Sequence, residues 1–209
     1  MIKGEVILRM INYKEVESLK EQLINIQTDS DDFYYKTLHR LLDPFSHTLD
    51  IDGASSFSFA FEDLYLKYEG NYLSLFEELY NQSTNQSIVI EMPYNEISEQ
   101  THLAVLNQVD RFEQFQWIKL LKQTDEKTAS DFFVVESFED LKLMYQINSR
   151  EVFFCNIHFM ELGFSLRGHF DRSMEVFFES EKAIESFKNI VEKNGLFLRK
   201  YPDELERGV

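Results

Sequence analysis

The stretch Leu64–Phe76, LYLKYEGNYLSLF, decides whether the first half of this chain is built on strands or on helices. Gly70-Asn71 at its centre has the chemistry of a two-residue hairpin turn. A hairpin closed there sets Tyr68 opposite Leu73 and Leu66 opposite Leu75, so apolar residues meet on one face. Tyr65, Lys67 and Glu69 then face Phe76, Ser74 and Tyr72 on the other. A helix over Glu62–Tyr80 competes, but Gly70 in its interior is unfavourable by about 1 kcal/mol relative to alanine. The hairpin is therefore the expected structure. Just upstream, Phe57, Phe59 and Phe61 alternate with small residues and suggest a third strand of the same meander.

On the N-terminal side, Glu5–Met10 reads as a strand and Lys14–Gln27 as a helix, with Val16, Leu19, Leu23 and Ile26 on one stripe. Thr28-Asp29-Ser30 offers caps for a second helix running to about Leu42, stopped by Pro44. On the C-terminal side, Ser87–Met92 is a short apolar strand, and a helix follows from about Ser98. From Leu103 the apolar residues recur strictly every three: Leu106, Val109, Phe112, Phe115, Ile118, Leu121. A period of three drifts about 60° around an α-helix at each step. One straight amphipathic helix cannot bury all of them on one side, so either the helix breaks near Asp110-Arg111 or it is buried on several sides.

Polar KQTDEKTAS, starting at Lys122, marks a candidate seam over 122–131. Beyond it come a strand at Asp131–Glu136 and a helix at Phe138–Ile147. Three strands follow, at Val152–Phe159, Phe164–Asp171 and Met174–Phe178. A helix over Ser180–Lys193 is stopped by a left-handed Asn194-Gly195, and Phe197–Arg199 forms a last short strand. The expected class is α+β, with antiparallel meanders packed against amphipathic helices in one compact unit of residues 1–209. The order of elements on the two sides of the seam is similar, which raises two like α+β halves as an alternative.

The composition narrows the function classes. The 209 residues carry 37 Asp+Glu against 21 Lys+Arg, a formal charge of −16, and 20 Phe with 10 Tyr. So many aromatics supply core area and argue against a disordered chain. The charge repels phosphates and anionic lipid, and no Lys/Arg run offsets it, so neither nucleic-acid nor membrane binding is expected. A basic protein partner fits, attracted by the surplus charge in a salt-sensitive way; simple solubility would account for the same surplus. The N-terminus lacks a signal-peptide run and no apolar run approaches a membrane span, which makes a cytoplasmic location the expectation. Oligomeric state is not encoded in any readable feature.

Catalytic motifs are missing from the sequence: no phosphate-cradling glycine loop, no dinucleotide fingerprint, no H-E-x-x-H and no C-x-x-C. Gly53-Ala-Ser55 fails the nucleophile-elbow pattern because Phe57 stands at its second glycine. No cofactor is expected. Cys155, the single cysteine, alternates with Phe153, Ile157 and Phe159 and should point into the core.

Three constellations remain. His47, Asp50 and Asp52, beside Gly53, resemble half a hard-cation loop, but Phe61 occupies the place of the distal bidentate glutamate, so no metal is expected there. The meander brings a second set together: Arg167, His169 and Asp171 share the strand period of Ser165, with Asn156, His158 and Glu175 on the matching face of the neighbouring strands. These groups could perform acid/base chemistry or bind an anion; equally they could pair across a solvated sheet face. The third set is the acidic-aromatic segment Asp29, Asp31, Asp32, Tyr34 and Tyr35, with Asp43 nearby. Carboxylates there favour a helix N-terminus, and with the tyrosines they could also anchor in a basic partner.

The leading expectation is an interaction protein, not an enzyme, that docks on a basic macromolecule and occludes it. The analogy, one of class alone, is with toxin-neutralising immunity proteins and phage-encoded inhibitors. The alternative is an enzyme with a divergent acid/base site at His158, Arg167, His169 and Asp171.

Overall fold

The residue pattern Tyr72, Leu75, Phe76, Leu79 satisfies helical spacing as well as it satisfies a hairpin, and burial decides between them. In the computed structural model, which describes residues 8–24, 26, 37–47, 61–84, 87–93, 96–123 and 130–200, a single helix spans Phe61–Gln82. The hairpin expected over Leu64–Phe76 is corrected by this helix. Tyr72, Leu75, Phe76 and Leu79 are all buried on its inner side. Each such side chain is worth about 1.5–3 kcal/mol when removed from water, which outweighs the one interior glycine. Gly70 itself is on the exposed side, with open space where a Cβ would stand. Phe57 and Phe59 lie outside the described residues, and Phe61 opens the helix in place of closing a third strand.

The glycine gives a direct test. Gly70→Ala is expected to raise stability by about 0.5–1 kcal/mol, because it removes backbone entropy from the unfolded chain and meets no neighbour in the folded one. A turn glycine with positive φ would give the opposite sign. Urea unfolding of the variant reads the difference.

The remaining elements follow their local chemistry. Strand β1 (Arg9–Met10) leads into α1 (Tyr13–Lys20), shorter than the stripe Lys14–Gln27 implied. β2 (Leu38–Asp43) corrects the end of the second expected helix. LHRLLD puts apolar residues at helical spacing, but the segment is paired on both edges and buries Leu41 and Leu42 on opposite faces, as an inner strand does. The long helix Phe61–Gln82 is α2. β3 (Ile88–Glu91) is followed by α3 (Glu99–Gln108), capped by Ser98. The break expected near Asp110-Arg111 is present, with α4 running over Arg111–Gln123. Its start is a reciprocal cap: Asp110 Oδ1 accepts from the Phe112 and Glu113 backbone N–H groups at 2.9 and 3.0 Å, and Glu113 Oε2 accepts from Asp110 N at 2.9 Å.

After these come β4 (Phe132–Val134), α5 (Phe138–Ser149) with a Ser137/Asp140 capping box, β5 (Asn156–Phe159), β6 (Phe164–Gly168), β7 (Met174–Phe178), α6 (Glu181–Lys193) and β8 (Phe197–Arg199). The expected strand–strand–strand–helix–strand order from 152 to 199 is found, including Gly195 at φ 70 as the left-handed stop, but the first strand begins at Asn156 and not Val152, and the second ends at Gly168, short of Asp171.

The eight described strands form one sheet in the order β1-β4-β3-β5-β6-β7-β2-β8, antiparallel at each pairing. The fold is α+β. One face carries Phe133, Ile90, Ile157, Leu166 and Val176 in register and packs against α2, α5 and α6 in the main core. On the other face Val89, Phe132 and Val134 pack under Ile11 and Val16, with Leu19 and Leu23 beside them. Carboxylates tie the helices together. Glu69 receives Gln146 of α5 at 2.7 Å and Arg150, just past the end of α5, at 2.9 Å, and Glu78 receives Lys193 of α6 at 2.9 Å. Glu113, buried, receives Lys142 of α5 at 3.0 Å.

Candidate functional site

Antiparallel register places polar residues of five strands on the second sheet face, in two rows. One row runs Val89, His158, Ser165, Phe177, His39. The next runs Glu91, Asn156, Arg167, Glu175, Leu41. The period-two alternation of β5, β6 and β7 therefore brings Asn156, His158, Ser165, Arg167 and Glu175 to one face, as their spacing implied. Glu91 and His39 join them from β3 and β2. Sequence reasoning does not find either, Glu91 because it ends an apolar run and His39 because the spacing of its segment reads as helix.

Four of these groups, Ser165, His158, Glu91 and Asn156, form a connected line. Ser165 Oγ and His158 Nδ1 share a hydrogen bond of 2.8 Å. His158 Nε2 lies 3.4 Å from Glu91 Oε2, and Asn156 Nδ2 donates to that same oxygen at 2.6 Å. Farther along, His39 Nε2 stands 3.9 Å from Glu175 Oε1, and the His39 ring stacks on Phe177 at 4.9 Å. This face is not the solvated surface expected. His158 is 1% and Ser165 2% exposed, and Glu175 is buried as well. Leu23, Ile24 and Met160 line the crevice over His158 and Ser165, which leaves no room for a water molecule. Glu91, with 38% of its side chain exposed, is the open end of the line.

A serine, an imidazole and a carboxylate in sequence are the parts of a nucleophile and its base. Here the hydroxyl is sealed, so the arrangement as it stands fixes the register of β3, β5 and β6 by satisfying buried polar groups. Burial pushes the Glu91 carboxyl up. The His158 imidazole and the Asn156 amide more than offset that push, and the group sits below its usual value of 4.5. The ionised form is thus favoured by folding. Its contribution is present above the ordinary glutamate range and is lost as pH falls through the lowered folded value. Glu91→Gln is expected to flatten the acid limb of the stability profile between roughly pH 5 and pH 3. Urea midpoints across that range would show it; a limb as steep as the parent's would mean that Glu91 is not coupled to folding.

The other sequence candidates fall elsewhere. His169 lies beyond the end of β6, four residues from Ser165 and so about 13 Å along the strand. Its Nδ1 is 3.1 Å from Ser173 Oγ and 3.3 Å from Phe170 O. The two imidazoles do not converge. Asp171 lies in the 3-10 turn Phe170–Arg172. Within that turn Arg172 has φ 62, and the buried Tyr72 hydroxyl donates to its carbonyl at 2.8 Å. Asp43 is inside the fold, paired with Arg199 and accepting from Phe45 N at 2.7 Å. Asp29, Asp31, Asp32, Tyr34 and Tyr35 lie outside the described residues.

His47 is exposed, its Nδ1 3.1 Å from Ser46 Oγ, and Asp50 and Asp52 lie outside the described residues. Among the described residues no three His, Cys, Asp or Glu side chains are grouped to hold a metal ion. Cys155 is buried, and burial pushes its thiol up to about 12. No helix among the described residues is long and apolar enough to cross a membrane.

Another surface differs from both sets. Leu103 of α3 and Phe112, Phe115 and Ile118 of α4 are exposed by 60, 57, 56 and 38%. These are four of the residues in the strict period-of-three run, and the helix break does not bring them inside.

No family model, curated protein or solved structure matches this chain.

Proposed function

We propose that the protein acts by binding, docking on a macromolecule of basic overall charge and occluding it, as an inhibitor of the immunity-protein kind would. The observation that supports this reading is a contrast between two surfaces. The hydroxyl and imidazole best suited to chemistry are sealed beneath Leu23 and Ile24, whereas large apolar side chains stand exposed on α3 and α4. Exposed apolar groups clustered on one element mark interaction surfaces. The formal charge of −16 adds attraction to a basic partner at a distance.

The test is capture under native conditions with the full chain, expressed with a tag in the cells it comes from. A stoichiometric basic protein is expected, with an association rate that falls as salt rises. Phe115→Asp should release it while leaving the fold intact. No stoichiometric partner, or one that Phe115→Asp retains, would overturn the reading.

The line Glu91–His158–Ser165 favours a second reading, an acid/base enzyme on the sheet face opened by movement of the cover. That reading requires Ser165 to react with a fluorophosphonate probe and to lose this reactivity in His158→Ala. An unlabelled serine in the folded protein would end it.

A further inference from the structure

The outward side of α4 is used neither by the core nor by the sheet-face network. At 100° per residue, Arg111, Phe115, Ile118 and Lys122 fall within about 60° of one another, and Lys119 and Phe112 widen the arc to about 120°. Lys119 Nζ stands 4.8 Å from the centre of the Phe115 ring. The inward side is Glu113, Gln116, Trp117 and Leu120, all buried. The one carboxylate in RFEQFQWIKLLKQ is therefore turned inside, held by Lys142. Asp110, the adjacent acid, is engaged by the first backbone amides of the helix. What remains outside is three cations interleaved with three apolar groups, on a chain whose formal charge is −16.

We propose that this face docks a short acidic amphipathic helix belonging to a partner protein. Its apolar side would lie on Phe112, Phe115 and Ile118, and its carboxylates would meet Arg111, Lys119 and Lys122. The proposal rests on the binding reading above and names the contact that reading lacks. Apolar contact supplies affinity, and the flanking charges set register and exclude wrong partners. A second copy of this chain fits poorly, because a two-fold contact would set three cations against the same three. An anionic bilayer or a nucleic acid extends beyond the patch and meets the surplus negative charge. A short segment feels mainly the charges within a screening length of about 8 Å. A partner that is basic overall and carries one acidic helix satisfies both the long-range and the local field.

The test uses the full chain and two synthetic helical peptides of about 18 residues, or five turns. Both have leucine along one face; one is flanked by glutamate and the other by lysine. Isotope-labelled protein is titrated with each, and the amide signals of Arg111–Gln123 are followed. The glutamate peptide is expected to shift those signals and the lysine peptide to leave them in place. Lys119→Glu with Lys122→Glu should weaken the glutamate peptide by about tenfold or more and bring the lysine peptide onto α4. Phe115→Asp should abolish the shifts. Preference for the lysine peptide by the parent protein, or silent α4 signals, would overturn the proposal. So would a dimer in sedimentation that Phe115→Asp dissolves, or shifts at α4 produced by phosphatidylserine vesicles instead. If the peptides fail while Phe112→Asp with Phe115→Asp still releases a captured partner, the binding reading stands and the acidic helix is wrong. If capture fails as well, both fall.

Discussion

Phe164→Ala is expected to remove about 3–5 kcal/mol of folding stability, a large share of what a domain has. Phe164 sits in β6, with Phe159 of β5 and Phe178 of β7 directly opposite it in the sheet. Their ring centres are 5.0 and 5.9 Å away, and Phe187 of α6 covers it from above at 4.5 Å. The cluster continues through Phe159 to Phe76 of α2, and from there to Tyr145 of α5. One side chain therefore touches two strands and one helix, and its neighbours lead to the other two core helices. Rings held on paired strands cannot collapse into the space an alanine leaves, so the loss should fall toward the upper end for this type of change. Phe115→Ala is the control. That ring is exposed, and its removal should move stability by no more than about 0.5 kcal/mol. Urea unfolding of both variants, with unchanged slopes, checks the pair. A loss near 1 kcal/mol at Phe164 would mean that the aromatic cluster is loosely packed.

The contrast between these phenylalanines also shows where the sequence was informative. From 152 onward, strand alternation, the apolar stripe of the last helix and the Asn194-Gly195 stop were legible, and the structure has those elements in that order, with two of the strands shorter than the alternation implied. The break before Arg111 was legible because drift around a helix is geometry. The N-terminal half was harder to read. Leu64–Phe76 and Leu38–Asp43 each fit two periods, and what selects between them is burial against elements distant in the chain, which local spacing does not encode. Gly70-Asn71 has the chemistry of a turn, but a solvent-facing glycine is a small penalty in a helix of 22 residues.

The candidate site divides in the same way. The common face of His158, Ser165 and Arg167 followed from strand period alone. That the face is covered did not, because its cover comes from the segment after α1. Residues Phe112, Phe115 and Ile118 were expected to be buried because they are apolar; their exposure depends on which side of α4 the core occupies. The acid surplus needs similar care. Asp43, Glu69, Glu78 and Glu113 each hold a cation of this same chain. Those carboxylates serve the fold first; each pair takes up one acid and one base, so the formal −16 stands but is carried by other carboxylates.

Gly168→Ala is the second substitution expected to have a large effect, about 2–5 kcal/mol, and its cause can be isolated. A Cβ at Gly168 would stand 2.6 Å from Asn148 Oδ1, 3.0 Å from Asn148 Cγ and 2.5 Å from Phe154 Cδ1. Phe154 is half-buried and meets the exposed Phe170 edge-on, so its ring lies nearer the surface than the asparagine does. Asn148 is 1% exposed, and its side chain clamps Cys155, accepting from the backbone N–H at 2.8 Å and donating to the carbonyl at 3.3 Å. Moving it leaves two buried backbone groups without partners, each worth about 1–3 kcal/mol. Asn148→Ala should destabilise through the same two groups. The double variant should then lose less than the sum of the singles, because the clash at Gly168 disappears with the side chain that causes it. A coupling of at least about 1 kcal/mol in this cycle is the expected result. Strict additivity would show that the methyl group acts elsewhere, through β6 itself, and that the α5 clamp on Cys155 is not what requires a glycine at the end of this strand.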